Sequence, residues 1–291
     1  MTGRRSIPVL LTVIAGLALA GCGAETVSLE RAARAAGAVD REGSYRMSLE
    51  VAIEHPELGR PMVTKGSGEF DTKHKRGHMV TDLGSLAAQA GAPPGVDFEL
   101  EFLLDDFVMY EKVPEIVPAS ERDTSGGKPW VKIDLRRAAR SSGIALDQFN
   151  EMANSAQSIP DQLRGLTGDL ERIGTEEVRG VETTRYRGTV DLRKLTDMAP
   201  PEARSTMRRL NQKMIDDLGG PTYPIELWID GDDLLRRERH VTTKSQPGVE
   251  GKFKATSTSE FFDYGTEIVI KPPPEEDVHD LTDETEGLGE P

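Results

Sequence analysis

One cysteine stands in the 291 residues, at Cys22, where the stretch LLTVIAGLALAGCGAE ends its apolar run. A lone thiol in an exported chain offers three chemistries: a free reactive group, half of an intermolecular disulfide, or the acceptor of a covalent lipid. The flanking residues decide between them. Arg4 and Arg5 precede an apolar segment from Ile7 to Ala20, the length of a signal-peptide core rather than of a spanning helix. Leu19-Ala20-Gly21-Cys22 then matches the bacterial lipobox in position and residue size. In that motif diacylglycerol is attached to the cysteine, and cleavage leaves it as the first residue. The expectation is therefore a signal peptide over 1–21, a lipidated tether over 22–29, and no cofactor besides the covalent diacylglycerol at Cys22. A bare arginine pair is less than a twin-arginine signal demands, so the general secretory route is expected. The mature protein would sit on the outer face of the cytoplasmic membrane.

Other residues that could do chemistry carry weaker patterns. Ser125-Gly-Gly-Lys128 has the Ser-x-x-Lys spacing in which a lysine activates a serine, but it lies in a glycine-rich loop with neither a following helix nor a Lys-Thr-Gly partner. His74 and His78 have a metal-ligand spacing only on a helix, and they fall at a charged hairpin. Asp230, Asp232 and Asp233 lack the full ligand spacing and terminal glutamate of a calcium loop, and a tight turn accounts for them. Trp130 and Trp228 sit in strand patterns, where packing is the commoner role than ligand stacking. There is no Gly-x-Ser-x-Gly elbow, no His-Glu-x-x-His and no phosphate-binding Gly-x-x-x-x-Gly-Lys. The reading is a protein without a catalytic or metal site.

The composition agrees with an exported binding protein. A net charge of −14 argues against nucleic acid and against a polybasic membrane face. Attachment to the bilayer then falls to Cys22, whose two acyl chains meet the requirement for stable anchoring. With that thiol consumed, the fold must rest on packing alone.

The elements follow from periodicity. SYRMSLEVAIE alternates apolar Tyr45, Met47, Leu49, Val51 and Ile53 with polar residues, the signature of a strand with one dry face. VTKGSGEFD and RGHMVTD read as strands joined by a turn at Thr72 to Lys75, with Gly66 and Gly68 marking a bend or bulge. FELEFLLDDFVMYEK reads as a hairpin turning at Asp105-Asp106, and PWVKIDL as a further strand after the polar loop from Glu115 to Lys128. Helices are expected over Ser28 to Val39, Leu135 to Ser141, Leu146 to Ala156, Pro160 to Leu166 and Pro200 to Leu218. The last has Ala203, Met207, Leu210, Met214 and Leu218 on one face and ends at Gly219-Gly220. LERIGTEEV and ETTRYRGTVDL, then YPIELWID, LLRRERHVTTK and KFKATSTSEFFDYG, supply the remaining strands. After Pro274 the chain turns acidic and poor in apolar residues, which predicts a solvated tail over 275–291.

The lipobox, the strand GVETTRYRGTVDL, PIELWIDGDDLLRRER after a helix, and the closing FFDYGTEIVIKPPPEEDVHDL together resemble the LppX/LprG lipoproteins of high-GC Gram-positive bacteria, whose fold is similar to that of the LolA carriers. The resemblance implies an α+β fold over 30–274: a curved antiparallel half β-barrel with helices packed on its concave face. It also implies an apolar cavity that binds the acyl chains of an envelope lipid or glycolipid, for transport or chaperoning, with a membrane transporter as partner. A monomer is expected.

The dry strand faces supply candidate lining residues: Met47, Leu49, Val51, Leu100, Tyr186, Val190, Leu227 and Ile229. The same positions could equally fill a core. A second reading is a protein-binding regulatory or sensor lipoprotein, because regulators of sigma-factor signalling use a similar half-barrel and the acidic surface would suit a basic partner.

Overall fold

The computed structural model describes residues 26–27, 29–89, 91–92, 98–114, 125–141, 163–198, 204–244 and 251–285. Cys22, the leader expected over 1–21, the helix expected at Leu146 to Ala156 and residues 286–291 of the expected tail lie outside the described residues.

Thirteen strands form one sheet: β1 (Thr26–Val27), β2 (Ser44–Glu54), β3 (Met62–Asp71), β4 (Arg76–Asp82), β5 (Glu99–Asp105), β6 (Val108–Lys112), β7 (Trp130–Asp134), β8 (Leu166–Val178), β9 (Val181–Asp191), β10 (Thr222–Asp230), β11 (Leu235–Lys244), β12 (Phe253–Phe262) and β13 (Val278–Asp280). Their order is β1-β8-β9-β10-β11-β12-β2-β3-β4-β5-β6-β7-β13. Two meanders, β2 to β7 and β8 to β12, thus join where β12 pairs with β2. Among the described strands only the β13–β7 pair is parallel. The sheet is curved and unclosed, an α+β half-barrel, as the resemblance implies.

Helices α1 (Glu30–Glu42), α2 (Gly84–Gln89), α3 (Leu135–Ser141), α4 (Leu192–Met198) and α5 (Arg204–Leu218) complete the described fold. The inward face of α1 is nearly all alanine, with Ala32, Ala35, Ala36, Ala38 and Val39 buried. Side chains that small let the helix axis come close to the strands it covers. Gly43, at φ 77°, takes the left-handed conformation that ends α1 and returns its N–H to the Val39 carbonyl at 3.1 Å. β2 begins at the next residue.

One large core forms between the helices and the β8 to β12 meander. It contains Leu166, Leu170, Tyr186, Val190, Leu192, Ile225, Leu227, Ile229, Leu235 and Phe261, with the alanines of α1 above them. α5 adds Met207, Ile215 and Leu218, whereas Met214, expected on its inward face, is 43% exposed. The inward stripe runs through Met207, Asn211 and Ile215 instead. The buried Asn211 side chain donates from Nδ2 to the Leu192 carbonyl at 3.0 Å and to Thr196 Oγ1 at 2.8 Å. A polar residue on the core face thus locks α5 to α4, and that role diverts the stripe from the apolar pattern.

Two further expectations need correction. β3 pairs with β2 and β4 in unbroken register, so Gly66 and Gly68 mark no bulge. A Cβ at Gly68 would lie 2.8 Å from the Phe70 ring and one at Gly77 2.9 Å from it. The glycines make room for that ring, which stacks on Tyr45 at 5.2 Å. The segment 275–285 is also no loose tail. Ile268 and Ile270 pack on Leu103 against the face opposite α1, β13 pairs with β7, and Thr282 is 2% exposed. Backbone pairing needs no apolar side chains, so the acidic composition concealed this strand.

Candidate functional site

Strand alternation assigns each residue to a face. In β2 the residues Tyr45 and Met47 pack into the large core, so Leu49, Val51 and Ile53 share the concave face with them. The register carries that face across the sheet. Leu49 lies opposite Ser259 on one side and Gly66 on the other, then come Thr81 and Leu100. In the other direction Ser259 lies opposite Glu238, Glu238 opposite Leu227, and Leu227 opposite Tyr186. All eight residues proposed from the sequence as cavity lining are on this one face.

They divide into two environments. Tyr186, Val190, Leu227 and Ile229 are at most 2% exposed and packed into the core beneath the helices. They line no open space, so these four positions are corrected from lining to core: the small residues of α1 let the helix settle directly on them. Met47, Leu49, Val51 and Leu100 are half-buried. Around Leu100 the concave face of β4 to β7 continues with Met79, Phe102, Leu104, Met109, Val131 and Ile133, every one of them half-buried. The sheet therefore presents a closed apolar half, β8 to β12, and a partly open apolar half, β2 to β7.

Few charges interrupt this face. Glu111, on β6 opposite Phe102, has its carboxyl pushed above the usual range by burial. Glu238, on β11, is 4% exposed, and burial raises its carboxyl to about 7 against the opposing effect of the Ser259 hydroxyl. His240, two residues on and on the same face, is pushed down by burial. Sequence reasoning missed both β11 residues, because LLRRERHVTTK shows no apolar alternation. The register of YPIELWID, whose alternate residues Ile225, Leu227 and Ile229 are plainly apolar, was the signal that could have placed them.

The opposite face is ionic. Arg185, Trp228, Arg237, Glu260 and Ser48 form one row across β9, β10, β11, β12 and β2. Trp228 is 2% exposed, lies between the guanidinium groups of Arg185 and Arg237 at 5.0 and 5.3 Å, and donates from Nε1 to Glu176 at 2.8 Å. An open groove of about 590 Å³ runs over this row, with arginine and glutamate making up half of its lining. Its charges are already paired with one another, Arg237 with Glu260 at 2.7 Å and Arg185 with Glu226 at 2.9 Å. Trp228 is thus held by its neighbours. Trp130 borders a second groove, beside Pro272 to Pro274.

The remaining motif residues have structural partners. His74 bonds to Asp71 at 2.7 Å and His78 to Glu101 at 3.0 Å, so the two imidazoles do not converge. Asp230 accepts from the backbone N–H groups of Asp232 and Leu234 at 2.9 Å each and from Arg236 Nε at 2.6 Å, while Asp233 pairs with Arg34 of α1 at 2.6 Å. The acidic turn is thereby the anchor for the start of α1. Among the described residues no cluster of three or more His, Cys, Asp or Glu is placed to hold a metal ion. Ser125 is buried at a turn, its carbonyl accepting from the Lys128 N–H, and the Lys128 ammonium is bonded to the Glu276 carbonyl.

No family model matches the chain. Over 234 residues it is 26% identical to a Streptomyces griseus protein described as "Uncharacterized 31.2 kDa protein in rplA-rplJ intergenic region", covering 77% of this chain and 71% of that one. Over 160 residues it is 24% identical to "Putative lipoprotein SCO4650" of Streptomyces coelicolor, covering 54% of this chain but only 44% of that protein. Among solved structures, the lipoprotein LppX of Mycobacterium tuberculosis is similar over 84% of this chain and 97% of its own, at 14% identity and a TM-score of 0.48. LprF of Mycobacterium bovis is similar over 86% of this chain and 99% of its own, at 14% identity and a TM-score of 0.42.

Proposed function

We propose that this chain is an exported lipoprotein, anchored by diacylglycerol on Cys22 to the outer face of the cytoplasmic membrane, that holds the acyl chains of an envelope lipid against its concave face. One observation carries the reading: Leu49, Val51, Met79, Leu100, Phe102 and Met109 lie on one face of the sheet and stay half-buried, while the neighbouring meander has its apolar face sealed by helices. Burying such a surface against an acyl chain removes water from both, at roughly 0.8 kcal/mol per methylene. The bilayer interior is just as apolar, so the net preference per chain is small and exchange with the membrane is feasible. Binding of this kind asks no residue to make or break a bond. The lipobox supports the anchor, and a transporter that loads or unloads the protein would complete the cycle.

The test is equilibrium binding of methyl oleate to the chain from residue 22 onward carrying Cys22→Ser, which retains every described element. Binding in the micromolar range, weakened about tenfold or more by Leu100→Arg, supports the proposal. Absence of binding in the unchanged protein contradicts it.

A further inference from the structure

Glu238 and His240 project from β11 into the concave interior, with the core residues Leu227 and Ile225 beside them on β10 and Ser259 and Ser257 on β12. Two residues apart on one strand, they are about 7 Å from each other along the sheet. Glu238 is 4% exposed, and its Oε2 has no hydrogen-bond partner among the described residues. Nδ1 of His240 is likewise buried without a hydrogen-bond partner among the described residues, while its ring lies 5.7 Å from that of Tyr223. Stranding two polar atoms in an apolar interior is costly, and buried polar groups in folded proteins are nearly always satisfied.

The surroundings define what would satisfy them. The groups that sense the Glu238 charge are the phenols of Tyr45 on β2, Tyr223 on β10 and Tyr264 after β12. The Tyr264 hydroxyl is already committed to the Leu235 carbonyl at 2.6 Å. α1 and α5 both contact β11. Arg31 of α1 turns to Asp233 and the Asp230 carbonyl, and Lys244 at the end of β11 to Asp217 of α5. Arg236, next along β11, is paired with Asp230. Among the described residues these three cations are each paired, so a carboxylate or phosphate would meet none of them free and would face the Glu238 carboxyl. An alcohol fits better, since its one donor and two lone pairs can serve a carboxyl oxygen and an imidazole nitrogen together.

We propose that Glu238 and His240 form a hydroxyl-recognition site beside the acyl-binding face, where the row Leu49, Ser259, Glu238 crosses from the open half of the sheet into the helix-covered half, and that it selects neutral lipids carrying an alcohol, of the acylglycerol type, over neutral lipids without one. The alcohol donates to Glu238 Oε2, and His240 Nδ1 bonds to the same group or its neighbour. This rests on the acyl-binding reading above and adds a selectivity to it.

The experiment compares monooleoylglycerol with methyl oleate, two neutral ligands with the same acyl chain, on the Cys22→Ser chain from residue 22. The expected result is binding of monooleoylglycerol about tenfold tighter, the worth of one to two hydrogen bonds. Glu238→Met should bring that ratio close to one while leaving methyl oleate binding intact. His240→Leu should lower the ratio independently, and it decides the matter if Glu238→Met does not fold. A ratio near one in the unchanged protein, or a ratio that survives in the folded variants, overturns the hydroxyl site while leaving acyl binding standing. Failure of both ligands to bind overturns the acyl-binding reading and the site with it.

Discussion

Glu238 lies directly opposite Leu227 in the β10–β11 register, a carboxyl paired across strands with a side chain that is 0% exposed. The pair sets an ionisable group into the floor of an apolar half-barrel, with Ser259 its only bonding partner among the groups that shift it.

Stability should therefore depend on pH through Glu238. Its folded value of about 7 stands above the ordinary 4.5, so between these values the folded chain holds a proton that the unfolded chain has lost. The contribution is fully present below about 4.5 and is lost as pH rises to about 7, a change on the order of 3 kcal/mol. His240, pushed down by burial, works in the other direction below its ordinary 6.5, losing stability as pH falls. Subtracting the curve of Glu238→Gln from that of the unchanged protein isolates the first effect. Urea unfolding from pH 4 to 8 should show the unchanged protein losing stability relative to Glu238→Gln as pH rises, and a difference that does not vary with pH would contradict it.

Asp230 holds two backbone N–H groups and Arg236 while itself 3% exposed. Asp230→Ala should destabilise by about 3 kcal/mol, because the Arg236 charge and the turn amides lose their partner together. Chemical denaturation measures it, and a loss below about 1 kcal/mol would show that the turn does not depend on this carboxyl.

Asn211 ties α5 to α4 through two bonds. Asn211→Ala should cost about 1 to 2 kcal/mol. Hydrogen exchange should show faster opening of α4 and α5 with β10 unchanged; uniform loss of protection would contradict a local tie.

Gly68→Ala places a methyl 2.8 Å from the Phe70 ring and 3.1 Å from the His78 carbonyl oxygen. The ring must shift from its stack on Tyr45, at a cost of about 1 to 3 kcal/mol. Gly68→Ala combined with Phe70→Leu should recover part of that loss, and additive losses would rule out the contact as the cause.

Much of the fold was legible because the strands carry their own pattern. Tyr45 to Ile53 alternate with the single exception of Ala52, and the structure gives β2 eleven residues. All eight candidate lining residues fell on one face for the same reason. Which of them are covered was not legible, since it depends on how close α1 settles, a consequence of alanine size and tertiary packing. Glu238 and His240 were missed because a polar residue facing inward breaks the alternation by which inward faces are read. β13 was missed because its pairing with Trp130 to Lys132 is made by backbone groups, which composition does not report.

The central claim is tested most directly by native mass spectrometry of the Cys22→Ser chain expressed in a Streptomyces host, followed by organic extraction of whatever it carries. The account predicts a stoichiometric acyl lipid of neutral character, reduced by Leu100→Arg. A protein that emerges empty, and that takes up no acyl lipid when offered one, would contradict it.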